Sequence, residues 1–200
     1  MYARWALPLV TLALCLCVGG SVVASDVDND YRKALTIYYN VSEDVIAELT
    51  AAQLKMEDIP VAVQIHQKTR LSCQTIAERR ARGDTWMEIA SAQGMRPQDF
   101  YVIVVGKISS KTYGPIFDKF KTRPIDQWGK IELTDSDIVN LVNLKFIASQ
   151  HDYSIFRAME LRDRGKDFVR INHEVRILKA ELIRSQKKAR DAQTAGDSKG

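Results

Sequence analysis

The stretch "ERRARGDTWMEIASAQGM" (residues 78–95) is written a second time, 82 positions later, as "ELRDRGKDFVRINHEVRI" (residues 160–177). Aligned without gaps over 60–90 and 142–172, the copies are identical at Ile65/Ile147, Ser72/Ser154, Glu78/Glu160, Arg80/Arg162, Arg82/Arg164, Gly83/Gly165 and Ile89/Ile171. Cys73/Ile155, Trp86/Phe168 and Met87/Val169 are conservative pairs around them. A smaller echo lies 30 residues before the first copy, where Val41-Ser42 and Ile46-Ala47-Glu48 match Leu71-Ser72 and Ile76-Ala77-Glu78. The repeated unit is therefore a short helix pair.

Each shared residue has a mechanical reading. Glu78 with Arg82, and Glu160 with Arg164, stand at i and i+4 with the acid first, the order that favours a helix by about 0.2–0.5 kcal/mol. The arginines crowd the last helical turn, where positive charge complements the dipole and the free carbonyls. Gly83 and Gly165 supply the left-handed residue that ends the helix. Trp86 and Phe168 open the next helix and, with Ile89 and Ile171 about one turn on, wedge two helices together. This is the design of a helix-turn-helix corner.

Outward from the corners, apolar residues recur at helical spacing and sustained alternation is absent. Helices are expected over Asp30 to Tyr39, then over "SEDVIAELT" capped by Asn40 or Ser42, then over Glu57 to Lys68 with Pro60 in the first turn. Ser72 starts a fourth helix that stops at Gly83, and Thr85 with Glu88 forms a capping box for a fifth that runs to Gly94. Pro97 opens a sixth, "PQDFYVIVV". Phe100 to Val105 also suits a strand, and helix is preferred because a lone strand has nothing to pair with. Thr134 and Asp137 cap a helix to about Gln150, Ser154 begins another that ends at Gly165, and a last one runs from about Asp167 to Arg190. On it Ile171, Val175, Leu178 and Leu182 make a seam suited to docking or a short coiled coil. The fold class is all-α: tandem helix-turn-helix-like bundles with a long C-terminal helix.

The domain plan is a first helical domain over 25–105, an aromatic and basic linker over 106–133, a second helical unit over 134–190 and a disordered tail over 191–200. Residues 1–24, "MYARWALPLVTLALCLCVGGSVVA", read as a signal peptide: one arginine, an apolar run from Trp5 to Val18, and Val22 and Ala24 placed for cleavage. An uncleaved anchor is the alternative. It is disfavoured because the run is shorter than the about 20 residues a spanning helix needs. The expected location is periplasmic or secreted. Export would leave Cys73 alone, with no intramolecular disulfide. The formal charge of +4 falls to +3 without Arg4.

The residues name no catalytic chemistry. His66, His151 and His173 are scattered without metal-ligand spacing, Cys73 reads as a small buried hydrophobe, and no nucleophile elbow, H-E-x-x-H or phosphate-cradling glycine loop occurs. Asp135 and Asp137 suit a helix dipole as they stand. A corner rich in arginine suggests DNA binding, which export argues against. The pattern R-x-x-G or R-x-R-G, then an aromatic, then Ile, occurs twice around "YG-P" and "L-x-D-x-D-I". It resembles an uncharacterised group of small exported bacterial proteins over roughly residues 38–175. That resemblance implies no activity and brings no catalytic residue.

The expected function is non-enzymatic, acting through protein–protein or cell-envelope contacts, without cofactor, metal, nucleic acid or small-molecule substrate. A protein partner or self-association through the last helix is expected. The alternative is an anionic surface such as lipid headgroups, met by the basic linker and C-terminal helix. Candidate partner-binding residues are those the copies do not share: Tyr113, Phe117, Phe120, Trp128, Lys119 and Lys121 in the linker, and Arg184, Lys187 and Lys188 on the last helix.

Overall fold

The computed structural model describes residues 26–197; the expected leader and the last three residues lie outside them. Nine-residue helices with a serine N-cap recur three times, as α2 (Glu43–Ala51), α4 (Cys73–Ala81) and α8 (Ile155–Asp163). Their bounds repeat the offsets of 30 and 82 residue for residue. Each follows a longer partner, α1 (Asp26–Tyr39), α3 (Ile59–Thr69) and α7 (Asp135–His151). The corner then continues into α5 (Trp86–Ser91) in the first copy and α9 (Phe168–Asp197) in the second. Between the copies lies α6 (Gly114–Lys121). No strand occurs among the described residues, and the architecture is all-α.

Local rules account for the boundaries. Thr85 and Thr134 each head a complete capping box, with Glu88 and Asp137 reaching back to the cap N–H. Ser72 accepts from Thr75 N at 3.1 Å. Ser42 and Ser154 occupy the same position without that bond. Gly83 and Gly165 sit at φ +95° and +83°, closing α4 and α8 alike.

The two copies meet through their first helices: α3 packs on α7, and α1 lies against α2, α7 and α9. One continuous hydrophobic cluster takes residues from both copies and from the segment between them. Equivalent positions are buried alike, with Ile65, Ile147, Trp86, Phe168, Ile89 and Ile171 each 0 % exposed. Phe146 gathers Tyr31, Tyr38 and Tyr39 of α1 around it at 5.3 to 6.4 Å between ring centroids.

The structure corrects several expectations. The expected sixth helix over 97–105 is a single 3₁₀ turn, Pro97–Phe100, followed by irregular backbone. Four consecutive β-branched residues, Val102 to Val105, are stiff at χ1 and disfavour a helix, and no neighbouring strand makes them a sheet. The linker holds α6 and a second 3₁₀ turn, Ile125–Lys130. The first helix starts four residues earlier than expected, and α5 ends at Ser91, before Gly94. Residues 191–197, expected as disordered tail, continue α9.

Candidate functional site

The corner arginines are the first candidates, and the fold consumes them. Arg80 lies over the Trp86 ring at 4.4 Å, and Arg162 over the Phe168 ring at 4.5 Å. Arg80 Nη1 donates to the Asp84 carbonyl at 2.6 Å and Arg162 Nη1 to the Lys166 carbonyl at 3.1 Å, again equivalent positions. Each also meets an acid at the start of the other copy. Asp135, first residue of α7, accepts from Arg80 at 2.7 Å and from the Trp86 N–H at 2.7 Å. Glu57, just ahead of α3, accepts from Arg162 at 3.1 Å and from the Phe168 N–H at 2.7 Å. The copies thus exchange acids across the α3–α7 contact.

The expected Glu78–Arg82 pair does not form: Glu78 accepts from Gln74 and Arg82 is exposed. Its counterpart does, with Glu160 held by both Arg157 and Arg164. Arg79 pairs with Asp84 at 2.5 Å.

Around these arginines runs a buried polar chain. Tyr31 Oη donates to Asn143 Oδ1, and Asn143 Nδ2 donates to the Glu57 and Val139 carbonyls, each at 2.8 Å. Arg162 Nε donates to Asn140 Oδ1 at 3.0 Å. Burial pushes the Tyr31 phenol well above its ordinary range, so it stays a neutral donor to Asn143. Burial also lifts the Cys73 thiol to about 11 and leaves it 4 % exposed, the opposite of a reactive thiolate. His66 faces the Leu71 carbonyl, His151 faces Asn172 and His173 faces Asp30. Among the described residues no group of three or more His, Cys, Asp or Glu is placed to hold a metal ion.

The linker aromatics divide. Tyr113, Phe117 and Phe120 are 0 %, 6 % and 1 % exposed, so they act chiefly as anchors in the core, not as free contact residues. The apolar spacing i, i+3 on α6 drives Phe117 and Phe120 inward. Trp128 stays half-buried, its Nε1 donating to the Phe120 carbonyl at 3.0 Å. Tyr101 completes the cluster, 4.6 Å from Trp128 and 4.8 Å from Phe120 between ring centroids. Lys119 is spent on Asp137 at 2.7 Å. Lys121 is exposed.

Four of these residues, Tyr101, Phe117, Lys121 and Trp128, help line a groove of about 420 Å³. Its lining joins the aromatics Tyr101, Phe117 and Trp128 with Val104 and Ile108, and includes the charged residues Lys107, Lys121 and Asp118. Five of the lining residues belong to the irregular strip 101–109. Val102 points inward at 7 % exposure while Ile103 and Val105 are 81 % and 87 % exposed. Among the described residues no main-chain hydrogen bond holds the N–H or C=O groups of 102–109. At its C-terminal end the strip is fixed, and at Gly106 it runs close to a second-copy ring. Asp163 of α8 accepts from Ser110 Oγ and the N–H groups of Lys111 and Thr112. Gly106, at φ +125°, comes close enough to the Phe156 ring that a Cβ would lie 3.1 Å from it. Burial alone would raise the Asp163 carboxyl, but those hydrogen bonds outweigh it and hold the group low. Sequence reasoning missed Tyr101, Ile103 and Val105 because it continued a helix through them; the run of four β-branched residues was the available signal.

On α9, Ile171 and Val175 are buried, and beyond them the same seam emerges with Leu178 47 % and Leu182 57 % exposed. Arg184, Lys187 and Lys188 are fully on the surface. No described helix is long and apolar enough to cross a membrane.

Compared with known protein families, curated proteins and solved structures, the chain matches none.

Proposed function

We propose that this is an exported, non-enzymatic binding protein that takes an extended, apolar segment of a partner protein along the strip 101–109 and into the neighbouring aromatic groove. One observation carries the reading. A strand-like run with unpaired main-chain groups and outward Ile103 and Val105 is a template for strand addition, in which main-chain bonds give affinity and the groove gives selectivity. The rest of the molecule supports it by anchoring, because Asp163 of the second copy holds the C-terminal end of the strip and the Phe156 ring lies beside Gly106 in its middle. A photo-crosslinking residue placed at Ile103 in living cells tests this, with exposed Lys145 as the control position. A single adduct specific to position 103 and lost on Val105→Asp is expected. Equal labelling from both positions, or none, would remove the reading.

A second reading is anionic surface binding through the outer half of α9, favoured by exposed Leu182 and Ile183 set among Arg184, Lys187 and Lys188. It predicts sedimentation with phosphatidylglycerol vesicles that is abolished by Arg184, Lys187 and Lys188→Gln and weakened by salt. Retention unchanged in that triple variant would exclude it.

A further inference from the structure

Helices α1 and α2 line a hollow of about 380 Å³ that shares no residue with the groove or the corners. Arg32, Lys33 and Thr36 line its α1 wall; Glu43, Ile46 and Ala47 line its α2 wall. Arg32 is singular in its surroundings. Four arginines among the described residues are half-buried: Arg32, Arg79, Arg80 and Arg162. The last three each hold a carboxylate within 3.1 Å. Arg32 has no acceptor among the described residues, and its Nε is buried and unsatisfied. A part-buried guanidinium left without an acceptor costs free energy, and elsewhere this protein supplies one each time.

We infer that the α1–α2 hollow is a binding site for a small carboxylate with an apolar body, its carboxylate taken by Arg32. The guanidinium fork matches a carboxylate with two parallel hydrogen bonds. Lys33, one position on, adds a second cation without an ion pair of its own among the described residues, and Asn29 supplies an amide at the same wall. Ile46 and Ala47 offer the apolar floor that a bare inorganic anion would not use. Glu43, from α2, adds one acid to the two cations of the lining. That balance suits a singly charged head over a doubly charged one. The site goes beyond the partner-binding reading and shares no residue with it.

Isothermal titration of the purified protein with hexanoate, acetate and inorganic phosphate tests the assignment, with circular dichroism to check the fold of each variant. Hexanoate is expected to bind at one saturable site, acetate at least about tenfold more weakly for want of the apolar contact, and phosphate no better than acetate. Arg32→Gln is expected to weaken hexanoate about tenfold or more. Lys33→Gln, at an exposed position that keeps the fold if Arg32→Gln does not, is expected to weaken it severalfold. Absent saturation by hexanoate, equal affinity for acetate and hexanoate, tighter binding of phosphate, or unchanged affinity in both variants would each overturn the inference.

Discussion

The corner at Arg80–Trp86 and the corner at Arg162–Phe168 solve one problem with the same parts and then part company. In both, a guanidinium stacks on the aromatic, donates to the carbonyl four residues on, and meets an acid from the other copy. After the first corner the chain turns at Gly94, φ +81°, and enters the strip 101–109. After the second, Arg176 stands in that place, pairs with Asp30 at 2.6 Å, and the helix runs on. What is duplicated holds the two halves together. The exits, which differ, lead to the strip 101–109 in one copy and to the exposed outer half of α9 in the other.

The sharpest way to break this equivalence is to remove the wedges. Trp86→Ala and Phe168→Ala each empty a fully buried site, and each is expected to cost about 3–5 kcal/mol in urea unfolding. Trp86 should cost more, because its Nε1 also donates to Asp58 at 3.1 Å and leaves that half-buried carboxyl without the bond. A loss under about 1 kcal/mol at either site would show that the corners are not equivalent.

Next comes the exchange of acids. Asp135→Ala and Glu57→Ala each strip two donors of their acceptor and are expected to cost about 1–3 kcal/mol. A double-mutant cycle on Arg80 and Asp135 should show coupling above about 0.5 kcal/mol, and one on Arg80 and Glu57 should show none. Coupling in the second cycle would mean that the two corners share one network.

Much of this was legible in the chain. Gly83 and Gly165, the Thr85 and Thr134 boxes, and the wedge pair followed from local rules, because capping and left-handed closure depend on a few neighbouring residues. The acid exchange was not legible. Asp135 reads as a dipole partner for its own helix, and only the α3–α7 packing brings it to Arg80, 55 residues away. For the same reason Tyr113, Phe117 and Phe120 read as surface candidates: an aromatic residue looks alike in sequence whether it anchors a segment or presents it. The strip was misread because periodicity alone cannot separate a short apolar helix from a strand. Arg32 was passed over because its lack of an acceptor exists only in three dimensions.

A smaller effect should be the same in both copies. Gly83→Ala and Gly165→Ala place a Cβ where nothing lies within 4 Å, so only the positive φ opposes it. Each is expected to cost about 1 kcal/mol by thermal unfolding. A difference between them would locate strain in one corner only.

The smallest effect should distinguish the copies by pH. His151 ends α7 where Thr69 ends α3, and it faces Asn172 where the first copy has Ala90. Burial lowers its pKa; the hydrogen bond to Asn172 opposes this, while the charges of Lys179 and Arg176 add to it. The native state therefore favours the neutral ring. Its contribution to stability is present above the unfolded value of about 6.5 and is lost as pH falls through the lower folded value. Urea midpoints measured from pH 8 to pH 5 should decline less steeply in His151→Gln than in the unaltered chain. Thr69→His would put a titratable ring at the end of α3 without an Asn172 to receive it, so its own pH slope would report whether that helix end is as enclosed as its counterpart. Matching slopes in His151→Gln and the unaltered chain would show that the second corner is no more sensitive to acid than the first.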